Sequence, residues 1–405
     1  MSRFSHLHPA DLHGLSRLAV DGVIGTTTLV EQLHGTIART AVPVPAPESG
    51  RTRGITGLVY RSIHGITGLV GSVADLAFDQ VVPRLPTRHS TAQRERLVAI
   101  LNGVVGDHLD ETANPLAIRM KFRRQGRPFS VHSEAIATAI DPPGRKLLIA
   151  LHGLCMNELQ WSGSKGEGER NLVNDLAASL DFTPVFLHYN SGRHISTNGR
   201  EFADYMENLV EQWPEPVEEI VLLGYSMGGL VARSACHYAE RADQRWLNRV
   251  TRLVTVGSPH HGSPAERLGN QVDRLLNLSP YSAPFARLGR VRSAGITDLR
   301  HGNLRDQDWA DHDRFSRSGD QRQPVNLPEH VRSHAIAGIT GSQPDSIKSR
   351  LLGDGLVPVD SALGLHRDPT LQFPAVDDHR WVARNTGHLD LIHARSVYQR
   401  IHDWL

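Results

Sequence analysis

The chain has 405 residues, with 44 Lys plus Arg against 43 Asp plus Glu and only two cysteines, Cys155 and Cys236. That length predicts an α/β domain of roughly 250–300 residues with an appended segment rather than one unbroken domain. The near-cancelling charge gives no reason to expect a nucleic-acid partner, and two cysteines exclude both a disulfide framework and a thiolate metal site.

The opening residues MSRFSHLHPADLHG lack the basic start, apolar run and small-residue cleavage site of a secretory signal. No stretch approaches the roughly 18 apolar residues of a membrane span, so a cytoplasmic location is expected. From Asp11 to Ile37, apolar residues recur at spacings of three and four, interrupted by Gly22 and Gly25. This predicts an amphipathic helix with weak points. Val42 to Glu48 (VPVPAPE) is a linker, because proline removes N–H donors and restricts the residue before it.

Gly54-Ile55-Thr56-Gly57-Leu58-Val59 recurs as Gly65-Ile66-Thr67-Gly68-Leu69-Val70 after eleven residues, about three helical turns, so both copies present one face. Val73, Leu76 and Ala77 continue it. The expected partner for this stripe is the rest of the chain or a second subunit in a homo-oligomer, with a peripheral contact on a membrane or lipid surface as the alternative. A further helical stretch runs through Leu97 and Leu101.

Near Asn114 the pattern changes to short apolar strands alternating with helices, the form of a mainly parallel sheet flanked by helices. Candidate strands are Ala117–Arg123, Lys146–Leu151, Pro184–Tyr189, Glu219–Gly224, Arg252–Val256, Ser333–Ile339 and Arg380–Arg384. Helices are expected between them, for example over Phe202–Trp213 and Gly228–Tyr238. From Pro264 to about Glu329 the alternation stops, and this stretch is expected to be a lid-like insertion. The expected organisation is a helical segment over 1–110 and an α/β domain over 114–405.

The strongest chemical signal is Gly224-Tyr225-Ser226-Met227-Gly228-Gly229, directly after Ile220-Val221-Leu222-Leu223 and before a helix. That is the strand–turn–helix setting of a G-x-S-x-G nucleophile elbow, in which the two glycines remove Cβ atoms that would crowd the turn. Ser226 then sits at a helix N-terminus, where developing negative charge is favoured. A serine hydroxyl needs a base, and the base a third group to orient it. His388 follows the last strand through the turn Asn385-Thr386-Gly387 and precedes the final helix, where the base must hang. Asp354, in Gly353-Asp354-Gly355, is the expected acid, with Asp360, Asp377 and Asp378 as rivals.

An oxyanion needs two backbone donors, expected to be the amides of Met227 and of Leu154, the latter after Leu151-His152-Gly153. His152 is read as structural. Gly257-Ser258-Pro259-His260-His261-Gly262 shapes a loop beside the elbow, with no proton transfer assigned to either histidine. No H-E-x-x-H, G-x-G-x-x-G or P-loop pattern occurs, so neither a metal nor an organic cofactor is expected.

The L-H-G, G-Y-S-M-G-G-L-V-A-R and G-S-P-H-H-G stretches resemble lipase-type α/β-hydrolases, especially bacterial relatives of the GPI inositol-deacylase family. The resemblance spans about Lys146 to Leu405 and implies the α/β-hydrolase fold. It further implies a serine esterase or lipase acting on a small-molecule ester or acyl lipid, with Ser226, Asp354 and His388 as its triad. Acyl transfer or thioester hydrolysis by the same triad is the rival activity, and a lipid-binding scaffold without catalysis the rival class.

Overall fold

The computed structural model describes residues 8, 10–25, 54–81, 90–162, 171–263, 292–310, 320, 322–344 and 346–405. The helices are α1 (residues 10–25), α2 (Gly54–Val81), α3 (Ala92–Glu111), α4 (Ser133–Ala139), α5 (Leu172–Leu180), α6 (Ile195–Gln212), α7 (Met227–Arg241), α8 (Ala294–Asp298), α9 (Ile347–Leu352), α10 (Val359–Ala362) and α11 (Arg395–Trp404). The strands are β1 (Lys121–Arg124), β2 (Arg127–Phe129), β3 (Lys146–Leu151), β4 (Thr183–His188), β5 (Glu219–Tyr225), β6 (Val250–Val256), β7 (Arg332–Gly338) and β8 (Arg380–Ala383).

The chain divides into two compact units, one of residues 1–94 with 112–116 and one of 95–111 with 117–405. In the first, a Cβ on Gly71 of α2 would stand 2.9 Å from Val20 Cγ1 of α1, so the missing side chain sets the helix spacing. His13 Nε2 meets Asp75 Oδ1 at 2.9 Å and the His13 ring stacks on Phe78. The two GITGLV copies fall in the single helix α2, and Ile66, Leu69, Val70, Val73 and Leu76 are exposed along it. Of the helix expected over Asp11–Ile37, residues 26–37 lie outside the described residues, as does the proline-rich linker. No helix among the described residues is long and apolar enough to cross a membrane.

The second unit is built on one eight-stranded sheet in the order β2-β1-β4-β3-β5-β6-β7-β8, parallel from β4 through β8 and closed at one edge by the antiparallel β1–β2 hairpin. This is the α/β-hydrolase fold. Parallel strands are covered on both faces, which is why β3 reads KLLIAL. Its alternate side chains divide between two cores: Leu147, Ile149 and Leu151 pack with residues of α6 and α7, and Leu148 and Ala150 with residues of α5 and α11. A large aliphatic side chain buried this way contributes about 2 kcal/mol.

Two expectations need correction. The first strand is Lys121–Arg124, not Ala117–Arg123: Ile118 gives its N–H to Asn102 Oδ1 at 2.8 Å instead of to a strand. The hairpin partner β2 is reached through Gln125 and Gly126, both at positive φ (49° and 74°), as a two-residue turn of that hand requires. The stretch read as a lid-like insertion is in part integral to the domain. Ile296, Leu299, Leu304, Val325 and Leu327 are buried in the same core as α7. Residues 264–291, 311–319 and 321 lie outside the described residues.

Helices α6 and α7 meet at Gly199, where an added Cβ would lie 2.5 Å from Ser234 Cβ. On propensity alone, Gly→Ala inside a helix stabilises by about 1 kcal/mol. Here the lack of space outweighs that gain. Gly199→Ala is expected to lower stability by about 1–3 kcal/mol in urea unfolding, and a gain would show that the helices separate at little cost.

Candidate active site

Every element of the site hangs from the C-terminal edge of the parallel strands, where open α/β sheets bind their ligands. Strand β5 ends at Tyr225, and Ser226 turns the chain into α7 at φ 53° and ψ −123°, a strained position for a residue with a side chain. A Cβ on Gly228 would run into the Leu151 carbonyl oxygen, and one on Gly224 into the Gly229 backbone. The turn is pinned by Ser226 N–H donating to Val256 O at 2.8 Å.

The structure brings the three residues expected to act together into one hydrogen-bonded line. His388 Nε2 lies 3.0 Å from Ser226 Oγ, and His388 Nδ1 lies 2.7 Å from Asp354 Oδ2. The Asp354 side chain is fully buried, and its Oδ1 accepts from Leu356 N–H at 2.9 Å and Val357 N–H at 2.8 Å. Those donors fix the carboxylate against Nδ1–H, leaving Nε2 to accept from the serine hydroxyl. The rivals point elsewhere: Asp360 pairs with Arg350 and Asp377 with Arg380, while Asp378 is exposed.

Gly153 abuts Ser226, since a Cβ there would stand 3.1 Å from Ser226 Cβ. Among the described residues, neither Leu154 N–H nor Met227 N–H donates to a protein acceptor, whereas the neighbouring Cys155 N–H is taken by Ser191 Oγ at 3.0 Å. Met227 opens α7 and so lacks an intrahelical acceptor.

His152 is structural, as read from the sequence. Its Nδ1–H donates to Gly153 O at 2.8 Å, its Nε2 accepts from Tyr189 N–H at 3.4 Å, and its ring stacks on Tyr189 at 4.2 Å. Burial, helped by the His188 ring, lowers His152 to about 3. His260 is buried on Phe373, and burial followed by the Arg233 charge holds it well below its ordinary value. Gly257 leaves room for the His388 ring, because a Cβ there would lie 3.1 Å from His388 Cε1.

Tyr225 gives no sign in the sequence beyond filling a free position of the elbow. Its hydroxyl donates to His388 O at 2.9 Å, tying the end of β5 to the loop that carries His388. Burial, then Asp354 and Asp390, raises that hydroxyl and keeps it a donor. Behind the Leu154 turn, the buried Glu158 carboxylate meets Arg123 Nη1 at 2.7 Å. His188 and Arg123 hold Glu158 down at about 2 against the opposing effect of burial.

Residues 147–336 match a family model described as a PGAP1-like alpha/beta domain, a match that includes Ser226 and ends before Asp354 and His388. No curated protein matches the chain. Among solved structures, the chain is similar to the mature form of a lipase from Bacillus licheniformis, at 17% identity over 70% of this chain and 98% of that one, with a TM-score of 0.42. It is similar also to an esterase from Pyrococcus furiosus, at 13% identity over 65% and 83% of the two chains, with a TM-score of 0.37.

Tyr225→Phe removes one buried hydrogen bond and is expected to cost about 1 kcal/mol in chemical denaturation; an unchanged midpoint would mean that the bond to His388 O does not form. Below pH 6.5 the unfolded chain protonates His152 and His260 while the folded chain does not, until about pH 3 for His152. Stability is therefore expected to fall on acidification through that window, by up to about 1.4 kcal/mol per pH unit for each histidine. Urea midpoints that stay flat from pH 6.5 to about 4 would contradict this.

The chain has the α/β-hydrolase fold, and its residues 147–336 match the model of the PGAP1-like alpha/beta domain.

Proposed function

We propose that the chain is a serine carboxylic-ester hydrolase that acts on hydrophobic or acyl-lipid esters through an acyl-enzyme on Ser226. The observation that carries this reading is the unbroken relay from Asp354 through His388 to Ser226, with links of 2.7 and 3.0 Å, ending on a strained backbone. The hydrophobic character of the ester is taken from the resemblance of the L-H-G, elbow and G-S-P-H-H-G stretches.

His388 Nε2 takes the hydroxyl proton as Ser226 Oγ bonds to the ester carbonyl carbon. The carbonyl oxygen becomes an oxyanion facing the amides of Met227 and Leu154, and losing one such donor costs on the order of 3 kcal/mol. The imidazolium, held by the Asp354 carboxylate, returns its proton to the alcohol oxygen as the C–O bond breaks. Water then adds to the acyl-enzyme by the same proton route and releases the acid, leaving Ser226 free. A thioester could enter this cycle, and an alcohol could replace water, without any change in the relay, so products decide between these activities.

The test is hydrolysis of p-nitrophenyl esters graded from acetate to palmitate, with fluorophosphonate labelling in parallel. The native protein is expected to turn over and label, and Ser226→Ala to do neither. Asp354→Asn should leave the fold intact and lower kcat by about three to four orders of magnitude. Labelling without turnover would point to an acyl acceptor other than water. A native protein that neither labels nor turns over would leave the scaffold reading.

A further inference from the structure

We infer that α2 is a self-association surface, pairing in parallel with α2 of a second copy of this chain through the stripe Ile66, Leu69, Val70, Val73 and Leu76. These five residues are between 59 and 66% exposed. Their order along the helix is that of a two-stranded coiled coil. Ile66 and Val73 stand seven residues apart, as do Leu69 and Leu76, which puts β-branched residues at the first core position of each heptad and leucine at the fourth. That choice favours two parallel strands over three or four.

The opposite face of α2 is already used. Gly71 is buried against Val20 of α1, Asp75 meets His13 and lies 3.6 Å from Arg17 Nε, and Phe78 stacks on the His13 ring. Gly71 and Phe78 are again seven residues apart, at the heptad position farthest from the seam. The helix is therefore held on one side within its own unit and exposed on the other.

Charge selects the occupant. A helix that lies on a lipid surface flanks its apolar face with Lys and Arg, and residues 64–78 contain neither. Every exposed residue from Gly65 to Ala77 is uncharged, so two copies meet without like-charge repulsion beside the seam. At this exposure each of the five side chains offers on the order of 60 Å², so a pair of copies buries roughly 600 Å² through them. Gly65, Ser72 and Ala77, also exposed, border the stripe and widen the contact towards the roughly 1,000 Å² of a weak specific interface. The dimer should accordingly dissociate on dilution, with a Kd on the order of 10 µM. None of these residues belongs to the Ser226 relay, so the pairing stands independently of the proposed esterase activity.

The test is sedimentation velocity of the full chain at concentrations from about 1 to about 100 µM, which bracket that Kd. The native protein should pass from the mass of one chain to that of two across this range. Leu69→Glu combined with Leu76→Glu, at exposed positions where little packing is lost, should remain a single chain throughout. Val376→Glu, an equally exposed apolar residue outside α2, should dimerise as the native protein does. Val73→Cys should form a disulfide-linked dimer under mild oxidation, because in a parallel pair the two copies of position 73 face each other, and Gly68→Cys, on the flank away from the seam, should not. Cys155 and Cys236 are buried and do not compete. The inference is overturned if the native protein stays a single chain at about 100 µM, if its dimer survives the double Glu substitution, or if Val73→Cys cross-links no better than Gly68→Cys. A single chain that floats with phosphatidylcholine vesicles, and loses this with the double substitution, would overturn it in favour of a lipid surface.

Discussion

The backbone of Ser226 is held where a side-chain-bearing residue rarely stands, at φ 53° and ψ −123°, and the rest of the site is arranged around that turn. Such a conformation costs of order 1–3 kcal/mol and persists only where its surroundings leave no alternative. Here they leave none. Strand β5 is hydrogen-bonded on one side to β3 and on the other to β6, and Ile220 through Leu223 are fully buried. The tightness of the turn in turn dictates Gly224 and Gly228, and brings the Gly153 turn against Ser226.

What each histidine can do follows from its partner more than from its burial. His388 faces a carboxylate whose other oxygen is held by two backbone N–H groups, so a proton gained at Nε2 is met by negative charge on the far side of the ring. His152 faces a carbonyl and an amide N–H, and His260 faces a guanidinium; neither surrounding supports a second proton. His194 has a carboxylate, Asp298, but its ring lies flat on Trp309 at 3.6 Å and the pair ties α8 to the start of α6. Thus among these buried or half-buried rings, only His388 combines a carboxylate with a hydroxyl on its free nitrogen.

How much of this was legible in the sequence depends on how local each cause is. The parallel strands could be read because burial on both faces leaves nearly unbroken apolar runs, as in KLLIAL and IVLL. The elbow could be read because its steric demand falls on residues two positions from Ser226. Asp354 and His388 were legible from their order and from the turns that carry them. The hairpin strand β2 was not, because Gln125-Gly126 is a weaker turn signal than Asn-Gly, although both residues take positive φ. Tyr225 and the Arg123–Glu158 pair were hidden for another reason: their partners lie 163 and 35 residues away, and no periodicity records such a distance. The stretch after Pro264 was read by its composition, which cannot distinguish a polar cover from a segment that buries Ile296, Leu304 and Val325 at wide intervals.

The Gly257–Gly262 loop explains why a motif without catalytic groups of its own accompanies the elbow. Gly257 clears the space beside the His388 ring. Three residues on, His260 N–H donates to Ser361 O, His261 N–H to Ser361 Oγ, and Ser361 Oγ to the Gly262 carbonyl at 2.7 Å. Ser263 Oγ donates to Leu356 O, two residues beyond Asp354. From the other side, the Arg233 and Arg322 guanidiniums hold the His260 ring and carbonyl. The loop is therefore a splint on the chain that carries Asp354, set against the His388 ring. A relay of links near 3 Å tolerates little relative drift of its ends, and the loop's bonds to Leu356 and Ser361 restrain the Asp354 end of it. Two histidines suit such a splint because, kept neutral, each ring offers one donor and one acceptor and adds no charge beside Asp354 and His388.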